Sequence, residues 1–147
     1  QTYYNAYLQL GIILTAKKSL IALKYLNRAL DLKPASTETL YARGIFYQEN
    51  KEYDKAILDY QTILKTFPLD QRVHFNIGYI LLVNHNKYSE ALQHFSNAVK
   101  CDSNYVDAYY NRGLCYEALK DYRSAQMDFR KVLELNPDYE LLTNTRK

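Results

Sequence analysis

The histidines and cysteines are the residues of this 147-residue chain that could most readily hold a metal or act as nucleophiles. A zinc site needs Cys and His at short, characteristic spacings, such as two cysteines separated by two residues. We find no such spacing around the five candidates, which are His74, His85, His94, Cys101 and Cys115. The sequence therefore predicts no metal site and no cofactor, with reduced cysteines and His74 packed in the interior.

The glycines are the next candidates, because loops that cradle phosphates and turns that present a nucleophile depend on them. Only four are present, at Gly11, Gly44, Gly78 and Gly113, and they are 33, 34 and 35 residues apart. Four alanines keep nearly the same period, at Ala22, Ala56, Ala91 and Ala125, and so do Pro34, Pro68 and Pro137. These glycines mark an internal repeat, not a catalytic loop, and we predict that the chain is not an enzyme.

Each repeat must consist of two helices. In residues 37–70 the apolar side chains recur at three- and four-residue steps, which is the helical period. Polar residues that could cap the first helix of a repeat are Ser36, Asp70 and Asn104, and a proline follows most second helices. A glycine within a helix costs about 1 kcal/mol relative to alanine. We therefore expect Gly44 to lie where the two helices cross closely, facing Ala56.

The clearest repeat, Val106 to Tyr139, reads VDAYYNRGLCYEALKDYRSAQMDFRKVLELNPDY. Its Tyr109, Gly113, Tyr116, Ala125, Phe129 and Pro137 stand at the positions of the tetratricopeptide signature, so the chain resembles the tetratricopeptide repeat (TPR) family. The resemblance covers four units, at residues 4–36, 37–70, 71–105 and 106–139, while residues 140–147 are expected to begin a capping or further helix. It implies an all-α, right-handed superhelical solenoid of antiparallel helix pairs, forming a single array over residues 1–147.

The resemblance also implies a binding surface on the first helix of each unit, because the family binds peptides there. The fifth and ninth residues of the units are apolar or aromatic, and a few polar residues accompany them. The predicted peptide-binding residues are Leu8, Ile12, Tyr41, Ile45, Gln48, Arg72, Phe75, Asn76, Tyr79, Tyr110, Asn111 and Leu114. Such a surface suits a hydrophobic peptide or an amphipathic helix.

A clamp for the carboxylate of a chaperone tail, known in this family, is not indicated. It requires Lys and Asn at the fifth and ninth positions of the first unit, where this chain has Leu8 and Ile12. Moving the frame by one unit gives Tyr41 and Ile45, and of the clamp residues only Asn76 then matches.

Two interpretations of the apolar surface remain open. The chain is either a scaffold that binds a protein partner, or an assembly module whose surface packs against another part of its own protein or a second copy, so a homo-oligomer is possible. A net charge of +3 is too small to indicate nucleic-acid binding, and no apolar stretch is long enough to span a membrane. We expect Lys17, Lys24 and Arg28 to form a basic stripe on one helix. The sequence begins with Gln1, so we expect a piece of a longer protein, and it indicates no compartment.

Overall fold

The structure is a computed structural model that describes residues 2–139, and within that range every regular element is a helix. The helices are α1 (Thr2–Ala16), α2 (Ala22–Leu32), α3 (Thr37–Glu49), α4 (Tyr53–Thr66), α5 (Gln71–Val83), α6 (Tyr88–Cys101), α7 (Val106–Ala118) and α8 (Tyr122–Leu135). Consecutive helices pair within each predicted repeat, and their short connections make them antiparallel. The predicted all-α fold class is confirmed.

The chain divides into two compact units. Unit 1 extends to Pro68 and holds α1 to α4, and unit 2 begins at Leu69 and holds α5 to α8. Each unit therefore contains two repeats. The single array over residues 1–147 stays a prediction, and the helix predicted at residues 140–147 lies outside the described residues.

The core of each unit consists of small and apolar side chains on the facing sides of its helices. In unit 1 a cluster joins Tyr4 and Leu8 of α1, Leu26 and Ala29 of α2, and Phe46 of α3. In unit 2 the fully buried residues include Phe95 and Ala98 of α6 and Cys115 of α7. Both cores place the first helices of neighbouring repeats in contact, α1 with α3 and α5 with α7.

The glycines do mark close approaches, but the nearest neighbour of Gly44 is not the expected one. A Cβ atom on Gly44 would collide with the ring of Tyr60, and Ala56 is not among its nearest neighbours. At the equivalent position of the fourth repeat, a Cβ atom on Gly113 would lie 2.5 Å from Cε1 of Phe129. The nearest neighbour of Gly44 is therefore the Tyr60 ring, and the prediction that it faces Ala56 stays a prediction. The glycine makes room for an aromatic ring one turn beyond the alanine.

The turns inside the repeats use left-handed residues that are not glycine. Lys18, Lys51, Asn86 and Lys120 have φ angles of 57°, 61°, 54° and 65°. Each stands shortly after the end of a first helix, where a positive φ reverses the chain. The third repeat accommodates its extra residue here, because four residues separate α5 from α6 and only three separate α7 from α8.

Three local expectations are wrong. Ser36 and Asp70 cap α3 and α5 with their side chains, but α7 begins after Tyr105, and no side chain caps it, so Asn104 has no capping role. Cys101, expected in the core, is exposed because it ends α6, whereas Cys115 is buried. Lys17 precedes α2 and lies in the turn, so the predicted basic stripe does not lie on one helix.

Candidate functional site

The candidate surface in unit 1 lies on α1 and α3. We call the side chains at the fifth and ninth positions of the first helices the first-helix face, which in unit 1 comprises Leu8, Ile12, Tyr41 and Ile45. Ile12 is 42% exposed, and Tyr41 and Ile45 are half-buried. The ring of Tyr41 lies 5.9 Å from that of Tyr60, which fixes its position against α4. Three of the four side chains are therefore accessible to a ligand.

Two of the residues predicted to bind peptide in unit 1 belong largely to the interior. Leu8 is only 3% exposed and is part of the core cluster, because it points toward α2. The side-chain oxygen of Gln48 accepts a hydrogen bond of 3.0 Å from the hydroxyl of Tyr60. Leu8 thus belongs to the core of unit 1. Gln48 positions the ring of Tyr60, which contacts Tyr41 of the first-helix face.

Unit 2 presents a more aromatic version of the same face, comprising Phe75, Tyr79, Tyr110 and Leu114. Phe75 is at its centre, with ring centroids 5.1 Å from Tyr105 and 6.3 Å from Tyr79, both stacked. Tyr79 is 38% exposed. Because Phe75 also contacts the fully buried Phe95, at 5.7 Å, the cluster is anchored in the core.

The second half of this face is built around Tyr110. Its ring lies 5.9 Å from Phe129 and 5.1 Å from Tyr139. The hydroxyl of Tyr139 donates a 2.8 Å hydrogen bond to Oδ1 of Asp107, which ties the end of the fourth repeat to the start of α7. Leu114, four residues after Tyr110 on α7, is half-buried. The aromatic rings of unit 2 are therefore held before any ligand binds.

The polar residues predicted for unit 2 divide into inner and outer ones. Asn111 is 8% exposed, and its amide donates a 2.8 Å hydrogen bond to the backbone oxygen of Asp107, so it stabilises α7 internally. Arg72 is exposed, and its guanidinium bonds to Asp70 at 3.2 Å. Asn76 is half-buried and has a partner. Arg72 is thus the polar residue most open to solvent.

Two ion pairs with buried carboxylates were not predicted from the sequence. In the second repeat Arg43 forms two hydrogen bonds with Asp59, of 2.8 and 2.7 Å, and in the fourth repeat Arg112 does the same with Asp128, at 2.7 Å each. Donation of these hydrogen bonds to the aspartate raises the pKa of each arginine, against the opposing effect of burial. The signal was available, because both pairs have a separation of 16 residues and recur 69 residues apart.

In the third repeat two histidines, one on α5 and one on α6, are in contact. Nδ1 of His74 lies 3.0 Å from Nδ1 of His94, and His74 is 5% exposed. At this distance one Nδ1 donates a hydrogen bond and the other accepts it, so only one of the two Nδ1 atoms carries a hydrogen. Burial, followed by the charge of His74, lowers the pKa of His94 to about 4, and only Glu90, one turn earlier, opposes this.

No metal-binding arrangement is found among residues 2–139. In that range no three side chains of His, Cys, Asp or Glu come together as a metal site would require. Burial raises the pKa of the Cys115 thiol to about 12, so this cysteine is a poor nucleophile. Nor is any helix in this part of the chain long and apolar enough to cross a lipid bilayer.

Comparison with sequence families gives one consistent result. The family described as Tetratricopeptide repeat matches residues 14–70 and 106–139, and the family described as TPR repeat matches residues 81–120. Between them the matches include parts of all four predicted repeats.

Curated relatives match over small parts of their own length. Tetratricopeptide repeat protein 16 of Homo sapiens is 25% identical over 141 residues, which is 88% of this chain and 16% of the relative. Hsp70-Hsp90 organizing protein 3 of Arabidopsis thaliana is 42% identical over 53 residues, 36% of this chain and 10% of the relative. The UDP-N-acetylglucosamine–peptide N-acetylglucosaminyltransferase of Giardia intestinalis is 34% identical over 74 residues, 50% of this chain and 5% of the enzyme. The chain thus spans less than a fifth of each.

Solved structures share the fold. PilF of Pseudomonas aeruginosa superposes with a TM-score of 0.81 at 28% identity, covering 93% of this chain and 63% of PilF. MamA of Desulfovibrio magneticus RS-1 superposes with a TM-score of 0.82 at 20% identity, covering 92% of this chain and 76% of that protein. These similarities agree with the predicted repeat architecture.

Proposed function

The chain belongs to the tetratricopeptide repeat family, and on that premise we propose that it is a protein-interaction scaffold whose first-helix face binds an apolar peptide or an amphipathic helix. The family is a non-catalytic scaffold family, and its repeats mediate binding to protein partners. The part proposed here is the location and the chemistry of the binding surface.

The aromatic cluster of unit 2 carries the proposal. Tyr79 leaves 38% of its surface exposed although its neighbour Phe75 is stacked on two other rings. A half-exposed ring whose support is buried loses little side-chain entropy when a ligand covers it. Aromatic anchors of this kind supply much of the energy at protein interfaces. Unit 1 by itself presents a smaller apolar area, at Ile12 and Ile45.

The names of two relatives do not define the ligand. The clamp that grips a chaperone tail needs Lys and Asn where this chain has Leu8 and Ile12, and Leu8 is buried. The match to the glycosyltransferase covers 5% of that enzyme, and the described residues offer no catalytic group on the face. An apolar protein segment remains the ligand that these side chains fit.

The test is peptide selection followed by point variants. A displayed library of random peptides is panned on the immobilised chain, and the binding of recovered peptides is measured by fluorescence anisotropy. Tyr79→Asp in unit 2 and Ile45→Asp in unit 1 should each weaken binding at least tenfold if the peptide contacts that unit. Matched controls are Tyr122→Asp on α8 and Leu58→Asp on α4, which alter exposed side chains away from the face.

Circular dichroism of each variant establishes that the helices persist. Recovered peptides should be rich in Leu, Ile and aromatic residues. If binding were equally strong in all four variants, the first-helix face would not be the site. A stable dimer in light scattering that Tyr79→Asp or Ile45→Asp dissociates would support the alternative, in which the face packs against a second copy.

A further inference from the structure

A pair of exposed aliphatic residues lies directly before α2. Leu20 is 72% exposed and Ile21 is 59% exposed. The backbone of Ile21 is helical, with a φ of −63° and a ψ of −21°, and the backbone nitrogen of Lys24 donates a 3.0 Å hydrogen bond to the oxygen of Ile21. Leu20 and Ile21 therefore extend the solvent-facing side of α2 by about half a turn.

The other repeats carry polar residues at this place. The equivalent residues are found by counting back from the alanine that recurs near the start of each second helix. They are Asp54 and Lys55 in the second repeat, Ser89 and Glu90 in the third, and Arg123 and Ser124 in the fourth. Among these four repeats the aliphatic pair is thus a feature of the first.

The packing of one repeat on the next does not cover this place. In unit 1 the second repeat follows the first, yet Asp54 and Lys55 are both exposed. In unit 2 the fourth repeat follows the third, and Arg123 is exposed as well. A further repeat packed in the same manner before the first one would therefore leave Leu20 and Ile21 open to solvent.

Two cations lie on the same side of α2 as the aliphatic pair. Counting about 100° per residue, Lys24 and Arg28 point into the sector between Leu20 and Ile21. Both side chains are exposed, and no carboxylate within residues 2–139 forms an ion pair with either of them. We call these four residues the α2 patch.

The surroundings of the α2 patch add positive charge. Residues 1–30 also contain Lys17 and Lys18, and they contain no Asp or Glu. Asp31 lies at the other end of α2, about 16 Å along the helix axis from the aliphatic pair. Glu49 of α3 lines the same small cavity as Lys18 and so offsets part of the charge of that lysine. Cations therefore outnumber carboxylates around the patch.

An anionic lipid surface fits the α2 patch better than a folded protein does. Lysine and arginine attract anionic headgroups, and apolar side chains between them can enter the boundary between headgroups and acyl chains. A lipid surface needs no matching shape. A protein interface does, and it buries about 800 Å² per partner, far more than two aliphatic side chains supply. Two copies that met through the patch would place cation against cation.

From these observations we propose that the α2 patch attaches the chain to the surface of an anionic lipid bilayer. Leu20 and Ile21 enter the headgroup region, and Lys24 and Arg28 bind the anionic headgroups. This attachment is peripheral and reversible, because so small an apolar anchor holds a protein only together with its charges. It does not depend on the first-helix face, so either proposal can be correct without the other.

Vesicle sedimentation tests the proposal. The full chain is mixed with vesicles of phosphatidylcholine, or with vesicles in which a third of the lipid is phosphatidylserine. At low salt we expect the partition constant to be at least tenfold higher for the vesicles that contain phosphatidylserine. The difference should shrink as the salt concentration rises, because salt screens the attraction.

A first pair of variants tests the aliphatic residues. Leu20→Ser, Ile21→Ser should lower the partition constant for the anionic vesicles about tenfold, because the apolar anchor is lost. The matched control is Met127→Ser, Leu133→Ser on α8, which changes two exposed apolar side chains of unit 2 and should have no such effect. Circular dichroism of both variants establishes that the helices persist.

A second pair of variants tests the charges. Lys24→Gln, Arg28→Gln should also lower the partition constant about tenfold. The control Lys100→Gln, Arg130→Gln removes the same amount of charge from exposed positions of α6 and α8. If the two charge variants lost binding equally, the net charge of the chain would be responsible, and the α2 patch would not be the site.

Four further results would overturn the proposal. They are equal partition into the two kinds of vesicle, no binding to either, binding that survives Leu20→Ser, Ile21→Ser, and binding that survives Lys24→Gln, Arg28→Gln. A soluble Glu-rich peptide serves as a probe for an acidic protein partner. If that peptide bound the wild type more tightly than Leu20→Ser, Ile21→Ser, the patch would recognise an acidic protein segment instead.

One more variant separates this test from that of the first-helix face. Tyr79→Ser removes the exposed ring of that face and leaves the net charge unchanged. It should not alter vesicle binding. A loss of vesicle binding in this variant would assign the lipid contact to the first-helix face and would overturn the proposal for the α2 patch.

Discussion

The third and fourth repeats, which together form unit 2, hold their paired helices together with different polar groups. In the fourth repeat Arg112 of α7 bonds to Asp128 of α8. In the third repeat the residue equivalent to Asp128 is His94, and its partner is His74. The two pairs share only the position on the second helix, since His74 is equivalent to Tyr109 and Arg112 to Ile77. The residue types decide how each pair responds to its surroundings.

The two pairs differ in charge. Arg112 stays charged at every accessible pH, and its guanidinium also lies 5.4 Å from the ring centroid of Tyr109. His94 is neutral near pH 7, because burial and the neighbouring His74 lower its pKa to about 4. The stability of the fourth repeat therefore depends on the pairing of Arg112 with Asp128, and that of the third repeat depends on His94 being uncharged.

The largest loss of stability should come from replacing one partner of the ion pair between Arg112 and Asp128. Arg112→Met leaves the carboxylate of Asp128, which is 4% exposed, without its cation. An unpaired buried charge of this kind costs roughly 3 kcal/mol or more. The expected result is a melting temperature lower by several degrees, measured by circular dichroism at pH 7.

A double variant controls for the loss of the side chain itself. Replacing Arg112 by Met and Asp128 by Leu together removes both charges and should recover most of the stability. If the single variant melted at the wild-type temperature, the pair would be a weak surface contact and not a determinant of the fourth repeat.

The next largest effect on stability should come from replacing the glycine of each repeat by alanine. A Cβ on Gly113 would lie 2.5 Å from the Phe129 ring, but a Cβ on Gly78 would lie 3.0 Å from the Phe95 ring. Gly113→Ala must displace an aromatic side chain, which costs about 1–3 kcal/mol. Gly78→Ala requires a shift of only a few tenths of an ångström, and the better helix propensity of alanine, worth up to about 1 kcal/mol, offsets it.

Urea denaturation of the two variants measures this difference directly. Equal stabilities for Gly113→Ala and Gly78→Ala would mean that the half-buried Phe129 swings aside freely. In that case the closeness of the helix crossing would not distinguish the repeats.

The sequence predicted the helix pairs because periodicity is a property of neighbouring residues. The even spacing of Gly11, Gly44, Gly78 and Gly113 was enough to place all four pairs. It did not identify the partner of each glycine, because Tyr60 and Ala56 are one turn apart on the same helix, and only the packing of two helices decides between them.

The binding surface was predicted less completely, for a similar reason. Positions in a repeat indicate the side of a helix but not how deeply a side chain lies. Leu8 and Tyr41 occupy the same position in successive repeats, yet Leu8 belongs to the core and Tyr41 is half-buried. The contacts of Gln48 with Tyr60 and of His74 with His94 join different helices, so no local pattern could reveal them.

The third repeat should lose stability in mild acid. His94 has a pKa of about 4 when folded and about 6.5 when unfolded, so the unfolded chain binds more protons between these values. The stabilisation is complete above pH 6.5 and is lost as the pH falls toward 4. After allowance for partial exposure we expect a loss on the order of 1–2 kcal/mol.

The variant His94→Gln isolates this effect, because glutamine cannot titrate. Its stability should change less between pH 7 and pH 4.5 than that of the wild type. Any residual slope in the variant reports the other titratable groups of the chain, which are the same in both proteins. Identical pH profiles for the two proteins would contradict the assignment.

The smallest expected effect on stability comes from the side-chain cap at the start of α5, which α7 lacks. Oδ1 of Asp70 accepts hydrogen bonds from the backbone nitrogens of Arg72 and Val73, whereas α7 starts at Tyr105 without a side-chain cap. Asp70→Ala should therefore cost about 1 kcal/mol, and Asn104→Ala no more than about 0.5 kcal/mol. Urea titration of both variants at pH 7 makes the comparison. An equal cost would show that Asn104 caps α7 in solution, and since both helices would then begin with a cap, the third and fourth repeats would differ only in their polar pairs and glycine contacts.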